Sequence, residues 1–374
     1  MFRYFWGSTL FTVLALGGGA ALGWYTTGTV AGALSILFIC AVLAVLEVSL
    51  SFDNAVVNAT VLEHMTPKWR RIFLTWGILI AVFGMRIVFP LLIVVIAAGL
   101  GPWEAIRLAL EQPAEYERIV TGARVGVAGF GGAFLAMVGL KFFFNSDKEV
   151  HWIAVVERQL TKLARVESVA IAIVLASLFA VSLMLTVPQA LELIVSGIFG
   201  LLTFIAVDAL GTLLGGPDGG THAVAGAARS GFASFMYLEL LDASFSFDGV
   251  IGAFALTNNL IVIALGLGIG AVFVRSMTIY LVEKGTLAAF RYLEHGAFWA
   301  ILVLAAIMLV GARYHVPEVV TGLAGATLIV ISFLWSLRYN KKNPDEAHIA
   351  LVGGPTGEGI EVAVTPEETR EVVR

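Results

Sequence analysis

Long runs of apolar residues, separated by short polar segments, recur along most of the chain. Many of these runs exceed the roughly 18 residues that are typical of a membrane-spanning helix. The pattern predicts an all-α fold, a polytopic transmembrane helix bundle within residues 1–340, followed by a flexible tail at 341–374. The predicted spans, about ten by this criterion, are 9–27, 29–62, 70–99, 121–144, 167–187, 189–214, 229–257, 259–283, 295–313 and 317–339.

The second predicted span, residues 29–62, is longer than a straight crossing requires. Its excess length centres on the run from Glu47 to Asn54, which contains serine, aspartate and asparagine side chains. Such side chains compete with the helix for backbone hydrogen bonds and favour helix breaks. We therefore expect an interruption of the helix within this run.

Composition agrees with a membrane protein, since 59% of the residues are hydrophobic and only 13% are charged. A soluble domain would have about 25% charged residues. The single cysteine, Cys40, excludes an internal disulfide. The sequence has no His-Glu-x-x-His, no Gly-x-Ser-x-Gly and no phosphate-binding loop motif, and no nucleic-acid-binding motif. We therefore expect neither an enzyme nor a nucleic-acid-binding protein, and no prosthetic group.

The positive charges predict the orientation of the chain in the lipid bilayer. If the N-terminus is inside, only four of the 23 lysines and arginines fall in outer segments, namely Arg107, Arg118, Arg124 and Arg313. Because positive residues concentrate on the cytoplasmic side, both termini are expected in the cytoplasm of a multi-pass protein of the plasma (inner) membrane.

Two stretches of the chain resemble each other. The run Glu47–Asn54 is echoed by Asp242–Gly249, with acid aligned to acid, serine to serine and Phe-Asp to Phe-Asp. In the following span, Gly77–Arg86 resembles Gly266–Arg275, each beginning with glycine and ending with arginine. The acid-bearing spans are the second and the seventh, so they cross the membrane in opposite directions.

A third pair of segments extends this likeness, because Gly131–Met137 resembles Gly296–Leu302. Three successive spans therefore recur with inverted topology, over about 29–144 and 229–313. Inverted repeats are found in many secondary transporters, whose binding sites lie at the interface between the repeats.

The acids within these spans are candidate functional residues, because a carboxylate at bilayer depth costs several kcal/mol. At 100° per residue, four oxygen-bearing side chains of the first motif lie within about 40° of one another. They are Glu47, Ser51, Asn54 and Asn58. Asp53 lies about 120° away. It can reach the same ion only if the helix unwinds near Ser51, or it faces a different helix.

The second motif predicts a matching stripe, with Asp248 lying off it. The stripe consists of Glu239, Asp242, Ser246 and Gly249. Carboxylate, amide and hydroxyl oxygens are hard ligands that suit magnesium, calcium or manganese. No cluster of cysteine or histidine accompanies them, which disfavours copper and zinc.

A structural role for the acids is the simplest alternative. Arg86 and Arg275, one per repeat, could form buried ion pairs with them, but five carboxylates then face two arginines. The excess negative charge favours a bound divalent ion, protons, or both. Asp208 in the sixth span either lines an ion path or is a satisfied structural acid, and the sequence does not separate the two.

At these residues the sequence resembles the TerC family of integral membrane proteins, within the LysE-like cation transporter group. The family's patterns Glu-x5-Asp-Asn and Glu-x2-Asp-x5-Asp are both present, and so is the arginine in the helix after each. The matching residues are Glu47, Asp53, Asn54, Glu239, Asp242, Asp248, Arg86 and Arg275. Gly249 departs from the pattern, since the family usually has serine there, and spans five, six and ten do not follow it.

The resemblance implies export of manganese(II), with calcium or other divalent ions carried by some relatives. We therefore expect a secondary transporter that exports a divalent cation. Manganese is the expected ion and calcium is the alternative, and exchange of the cation for protons is part of this hypothesis. The expected ligands are Glu47, Asp53, Asn54, Asp242 and Asp248, with Glu239 next and Ser51, Asn58, Ser246, Asp208, Arg86 and Arg275 in support. The alternative is a non-transporting scaffold that assists metallation or insertion of other membrane or exported proteins. An organic-solute transporter and an intramembrane protease find less support in the sequence.

Overall fold

The computed structural model describes seven stretches of the chain, and within them the regular structure is helical, as predicted. The described residues are 2–63, 65–144, 150–163, 168–214, 231–283, 290–314 and 316–343. The predicted flexible tail lies outside the described residues from residue 344 onward.

The helices are named here in chain order. They are α1 (Phe2–Thr27), α2 (Val30–Leu50), α3 (Phe52–Glu63), α4 (Pro67–Leu79), a π-helical segment (Ile80–Val88), α5 (Phe89–Ala98), α6 (Pro102–Glu111), α7 (Pro113–Gly122), α8 (Arg124–Phe143), α9 (Ala154–Leu163), α10 (Ser168–Ser182), α11 (Val187–Leu214), α12 (Phe232–Phe254), α13 (Leu260–Glu283), α14 (Leu293–Gly311) and α15 (Glu318–Lys342).

Eight of the helices in the described ranges are long and apolar enough to cross a membrane. They include α1, α2, α8, α11, α13, α14, α15 and the continuous rod of α4, the π-helical segment and α5. The fifth predicted span corresponds to α10, which is apolar but only 15 residues long. The seventh corresponds to α12, whose 23 residues include three carboxylates. The protein is therefore a multi-pass membrane protein with an all-α fold.

The interruption predicted in the second span is confirmed, and it falls at Ser51. Helix α2 ends at Leu50 and α3 begins at Phe52, with Ser51 at φ −106° and ψ 20° between them. The backbone N–H of Ser51 still donates to the carbonyl of Glu47, so α2 completes its last turn before the chain changes direction. The corresponding run of the second repeat lies within the uninterrupted α12.

The two repeats pack against each other reciprocally. Helix α13 of the second repeat packs on α2 and α3 of the first, while α4 and the π-helical segment of the first repeat pack on α12 of the second. The third helices of the repeats, α8 and α14, also pack against each other. This exchange of partners is the arrangement that a twofold relation between inverted repeats produces.

The segment between the third and fourth predicted spans also adopts helical structure. Residues 100–120 form most of α6 and α7, each with a proline in its first turn. Proline is well tolerated there because the first backbone N–H groups of a helix have no partner within it. Tyr116 of α7 is fully buried, with its ring 6.3 Å from that of Phe254. Burial of Tyr116 therefore fixes this segment against the end of α12.

Candidate functional site

A polar cavity of about 30 Å³ lies between the two repeats. Both predicted stripes contribute to it: the whole stripe of the first motif is present, whereas only Asp242 and Ser246 of the second stripe line it. The lining residues are Glu47, Ser51, Asn54, Asn58, Ala81, Arg86, Asp242, Ser246, Ala271, Val274, Arg275 and Thr278. The helical periodicity of the first motif thus correctly identified which side chains share a surface. We call this space the central cavity.

Arg86 joins the two repeats across the central cavity. One guanidinium nitrogen donates to Glu47 Oε1 in its own repeat, and another donates to the hydroxyl of Ser246 in the other repeat. The Ser51 hydroxyl also donates to Glu47 Oε1, at 3.3 Å. Arg86 is 5% exposed and Glu47 is 6% exposed. A planar guanidinium that donates to two acceptors has a fixed orientation. Because its acceptors belong to different repeats, Arg86 holds the repeats together, and we call it a clamp in this sense.

Arg275, the equivalent residue of the second repeat, is held much more loosely. Its Nη2 lies 3.7 Å from Asp242 Oδ2 and 4.0 Å from Glu239 Oε1. Neither Nη1 nor Nη2 has a hydrogen-bond partner among the described residues. The guanidinium carbon lies 3.7 Å from the centre of the Phe73 ring, which is a cation–π contact. Arg275 therefore interacts with two acids by charge and with Phe73 by stacking.

Buried oxygen atoms surround this second arginine. Asn58 Nδ2 donates to Asp242 Oδ1 at 2.7 Å, which links the repeats a second time. Within the described part of the chain, Asn58 Oδ1 and both carboxylate oxygens of Glu239 are buried without a hydrogen-bond partner. Buried polar groups are almost always satisfied, so three such oxygens near one arginine require an explanation.

Glycines allow the charged side chains to approach the neighbouring backbone. A Cβ at Gly270 of α13 would overlap the aliphatic stem of Glu47. A Cβ at Gly77 of α4 would lie 2.6 Å from Arg275 Nη2. Gly249, where the TerC family usually has serine, lies beside the Glu47 carboxylate, and a Cβ there would be 3.0 Å from Glu47 Oε2. The absent side chain at 249 thus leaves space for an acid from the other repeat.

Asp53 lies outside the central cavity and faces a different helix. Its side chain is 7% exposed, and Oδ1 accepts the backbone N–H of Asn54 at 3.0 Å. Its Oδ2 approaches Gly325 of α15 so closely that a Cβ at that glycine would overlap it. The 120° offset on the helix therefore directs Asp53 to α15, which is one of the two arrangements expected from the sequence.

Asp248 also lies apart from the central cavity. It lines a second cavity of about 30 Å³, together with Arg124, Thr321 and apolar residues of α8, α12 and α14. Thr321 belongs to α15, four residues before Gly325. The second acid of each motif is therefore associated with the same stretch of α15.

The remaining sequence candidate, Asp208, forms an ion pair with a residue that was not predicted to contact it. Lys141 Nζ of α8 lies 2.5 Å from Asp208 Oδ2 on α11. Both side chains are partly exposed, at 33% and 24% respectively. The pair favours the interpretation of Asp208 as a satisfied structural acid.

The expected ligand set is only partly assembled in this conformation. Among the described residues, no group of three or more histidine, cysteine, aspartate or glutamate side chains is placed to hold a metal ion. The central cavity instead combines Glu47 and Asp242 with amide and hydroxyl oxygens, and each acid faces an arginine. Participation of Asp53 and Asp248 in one ion site stays a prediction.

Several contributors to the site were missed from the sequence. Phe73, Thr278 and Arg124 line or adjoin the two cavities. Phe73 lies one helical turn before Gly77, and Thr278 lies three residues after Arg275. At 100° per residue, Phe73 falls about 40° from Gly77 and Thr278 about 60° from Arg275, so helical periodicity indicates the first two. No local signal links Arg124 to Asp248.

Comparison with known proteins gives one match. No curated protein and no solved structure matches the chain. The family described as "Protein of unknown function (DUF475)" matches residues 52–343, which include α3, both arginine-bearing helices and the whole of the second repeat. The match covers well over half of the chain, and the protein therefore belongs to this family.

Proposed function

We propose that the protein is a secondary transporter that exports a divalent metal cation. Manganese(II) is the proposed substrate, and calcium is the alternative. One observation supports this most directly: antiparallel helices from two inverted repeats bring a carboxylate–arginine pair each into one buried polar cavity. Sites at the interface between inverted repeats are the usual location of substrate in secondary transporters.

The energetic cost of the site supports a functional role. Buried ion pairs contribute little to stability, since the desolvation of both charges offsets much of their attraction. Four charged side chains and two asparagines around one small cavity would therefore be a poor way to hold helices together. Charged groups inside a membrane bundle are more often part of an ion pathway.

The outlying acids extend the proposed path from the central cavity toward α15. Asp53 approaches Gly325, and Asp248 lines the cavity that contains Thr321, four residues earlier on the same helix. Four residues span about 6 Å along a helix, so both acids lie beside one stretch of α15. We assign the two acids to the same approach to the central cavity.

The direction of transport and the location of the protein in the cell are proposed from the sequence and not from the geometry of the cavity. The distribution of lysine and arginine supports a plasma-membrane protein with both termini in the cytoplasm. Export of manganese is the activity that the TerC-like motifs imply. Exchange for protons would account for carboxylates that must be neutralised whenever the metal leaves.

The test is ion uptake into proteoliposomes that contain the purified protein. Manganese, calcium, magnesium and zinc are compared with and without an opposing pH gradient. The matched controls are Glu47→Gln/Asp242→Asn, which removes the acids of the central cavity, and Asp53→Ala/Asp248→Ala, which removes the outlying acids. We expect flux of manganese that both double variants lose. Absence of flux for every ion from folded protein would refute the proposal.

A non-transporting scaffold is the second candidate, and one observation favours it. Glu47 and Asp242 already face arginines in this conformation, as they would in a purely structural ion-pair network. A scaffold would retain its protein partners after loss of these acids, whereas a transporter would lose ion flux. Partner capture that survives Glu47→Gln/Asp242→Asn, together with an absence of flux, would favour the scaffold.

A further inference from the structure

The two arginines of the repeats are equivalent in sequence position but differ in their contacts. Arg86 donates hydrogen bonds to Glu47 and Ser246, whereas Arg275 has no hydrogen-bond partner on either terminal nitrogen within the described residues. Both side chains are buried, with Arg275 only 3% exposed. The difference therefore cannot arise from solvation of Arg275 at the protein surface.

The sequence itself encodes this difference. In the alignment of the acid motifs, Glu239 of the second repeat corresponds to Ala44 of the first. In the alignment of the arginine-bearing helices, Phe73 corresponds to Val262. Arg275 thus has a second acid and an aromatic ring that the equivalent positions could not supply to Arg86. Because the residues around the two arginines differ in sequence, Arg86 and Arg275 have different roles in every state of the protein. They do not exchange roles between two states of a symmetrical site.

We propose that Arg86 is a fixed clamp and that Arg275 is a movable internal cation, which gives up Asp242 and Glu239 to the transported ion. This inference rests on the proposed function, and it names a subsite at the Arg275 end of the central cavity, which Asp242 and Asn58 line and Glu239 adjoins. The ion would bind Asp242, Glu239 and the amide oxygen of Asn58. The Phe73 ring would retain the guanidinium of Arg275 while the acids hold the ion.

The unpaired oxygens of the site support this assignment. Glu239 is 6% exposed and Asn58 is 3% exposed, and the three oxygens without partners belong to these two residues. Two carboxylates and an amide oxygen form a hard donor set of the kind that manganese, calcium and magnesium prefer. A guanidinium 3.7 to 4.0 Å from the acids balances their charge without satisfying the oxygens.

Electrostatics makes the arginine and the ion exclude each other. Two positive charges about 4 Å apart repel each other strongly in surroundings that are less polar than water. A divalent ion at Asp242 therefore repels Arg275 unless the guanidinium moves away. The existing cation–π contact with Phe73 can retain the desolvated guanidinium while it withdraws from the acids. The position over Phe73 is already occupied in this structure, so only a small displacement is needed.

The first experiment tests the division of roles without requiring transport. Arg86→Lys and Arg275→Lys both keep the charge, but a lysine cannot bridge two acceptors in the forked geometry of arginine. We expect Arg86→Lys to lower the melting temperature of the purified protein by several degrees and Arg275→Lys to lower it much less. Equal losses would show that Arg275 is a second clamp and would overturn the inference.

The second experiment measures equilibrium binding of manganese to the purified protein. Arg275→Gln removes the competing internal cation, so we expect affinity to rise by at least about tenfold. Glu239→Gln removes a ligand and should weaken binding. Phe73→Leu removes the ring that retains the guanidinium when the ion displaces it from the acids, so it should weaken binding in the wild-type background but have little effect together with Arg275→Gln.

The outcomes separate this inference from the proposed function. Weaker or unchanged manganese binding in Arg275→Gln would overturn the inference, as would an equal effect of Phe73→Leu in both backgrounds. Absence of binding by wild type and by Arg275→Gln would overturn it too. Binding that follows the expected order, without flux in proteoliposomes, would leave the inference intact and refute the transporter.

Discussion

The two repeats share one pattern of acids and arginines, but they build it differently. In the first repeat the acid-bearing span breaks at Ser51, and Arg86 lies in a π-helical segment. In the second repeat α12 and α13 are continuous α-helices. The first repeat has a firmly bound arginine and contributes amides, whereas the second has a loosely held arginine and an additional acid.

This difference shows how a duplicated motif can acquire separate tasks. π-Helical bulges and polar breaks occur frequently at functional sites because they redirect side chains. Here the irregular repeat positions a clamp, whereas in the regular repeat the Glu239 carboxylate and the terminal nitrogens of Arg275 have no hydrogen-bond partner among the described residues. The repeat with regular α-helices is therefore the one that holds its arginine more loosely.

The largest expected effect concerns the acids of the central cavity, one from each repeat. Glu47→Gln releases Arg86, whose charge would then repel a cation, and Asp242→Asn removes a ligand. We expect each substitution to reduce manganese flux on the order of a hundredfold. Proteoliposome uptake measures this, with Glu111→Gln in the exposed pair with Arg107 as the control. Normal flux in either variant would show that the repeats do not share the site.

The next effect concerns the glycines that face these charged side chains. Gly270→Ala would overlap the stem of Glu47, which Arg86 holds in place, and we expect a loss of about 1–3 kcal/mol in stability. Gly77→Ala meets the guanidinium of Arg275, which can move, and should cost less.

Thermal unfolding of the purified variants measures the difference between the two glycines. Gly18→Ala is the control, because a Cβ there meets no atom within 4 Å and should stabilise α1 by about 0.5–1 kcal/mol. A greater loss for Gly77→Ala than for Gly270→Ala would contradict the assignment of the fixed and the loose side chain.

A smaller effect distinguishes the equivalent serines. Ser246→Ala removes an acceptor of Arg86, and we expect a loss of about 1 kcal/mol. Ser51→Ala removes a longer hydrogen bond to a carboxylate that Arg86 still binds, so it should cost less. Denaturation measures the free energy of unfolding of the two variants, and Ser49→Ala on the exposed face of α2 is the control. Equal losses would mean that Arg86 does not depend on the second repeat.

The smallest effect is expected at Gly249. A serine there would place its Cβ 3.0 Å from Glu47 Oε2, which a shift of a few tenths of an ångström can accommodate. We expect manganese affinity to change by no more than about threefold. Equilibrium binding measures it, and a loss comparable to that of Asp242→Asn would mean that the gap at 249 is part of the ion site.

Much of the site followed from helical periodicity. The stripe from Glu47 to Asn58, the interruption at Ser51 and the offset of Asp53 and Asp248 are all consequences of 100° per residue and of polar side chains within an apolar span. The sequence could not show which helix an off-stripe residue would face. That depends on tertiary packing, which placed Asp53 against α15.

Other features depended on partners far away in the chain. Asp208 is neutralised by Lys141 from α8, and nothing near Asp208 indicated this contact. The segment with Tyr116 had a mixed charge pattern typical of a loop, but its apolar residues found a surface on α5 and α12. Local patterns therefore predicted faces and breaks, while pairings between distant helices needed the structure.

The central claim is that the two repeats form one cation site, and the stoichiometry of manganese binding tests it most directly. We predict one ion per chain in the wild-type protein, and weaker binding of that same ion after either Asn58→Ala in the first repeat or Asp242→Asn in the second. Two ions per chain, with each substitution removing only the ion of its own repeat, would contradict the claim. So would binding that neither substitution changes.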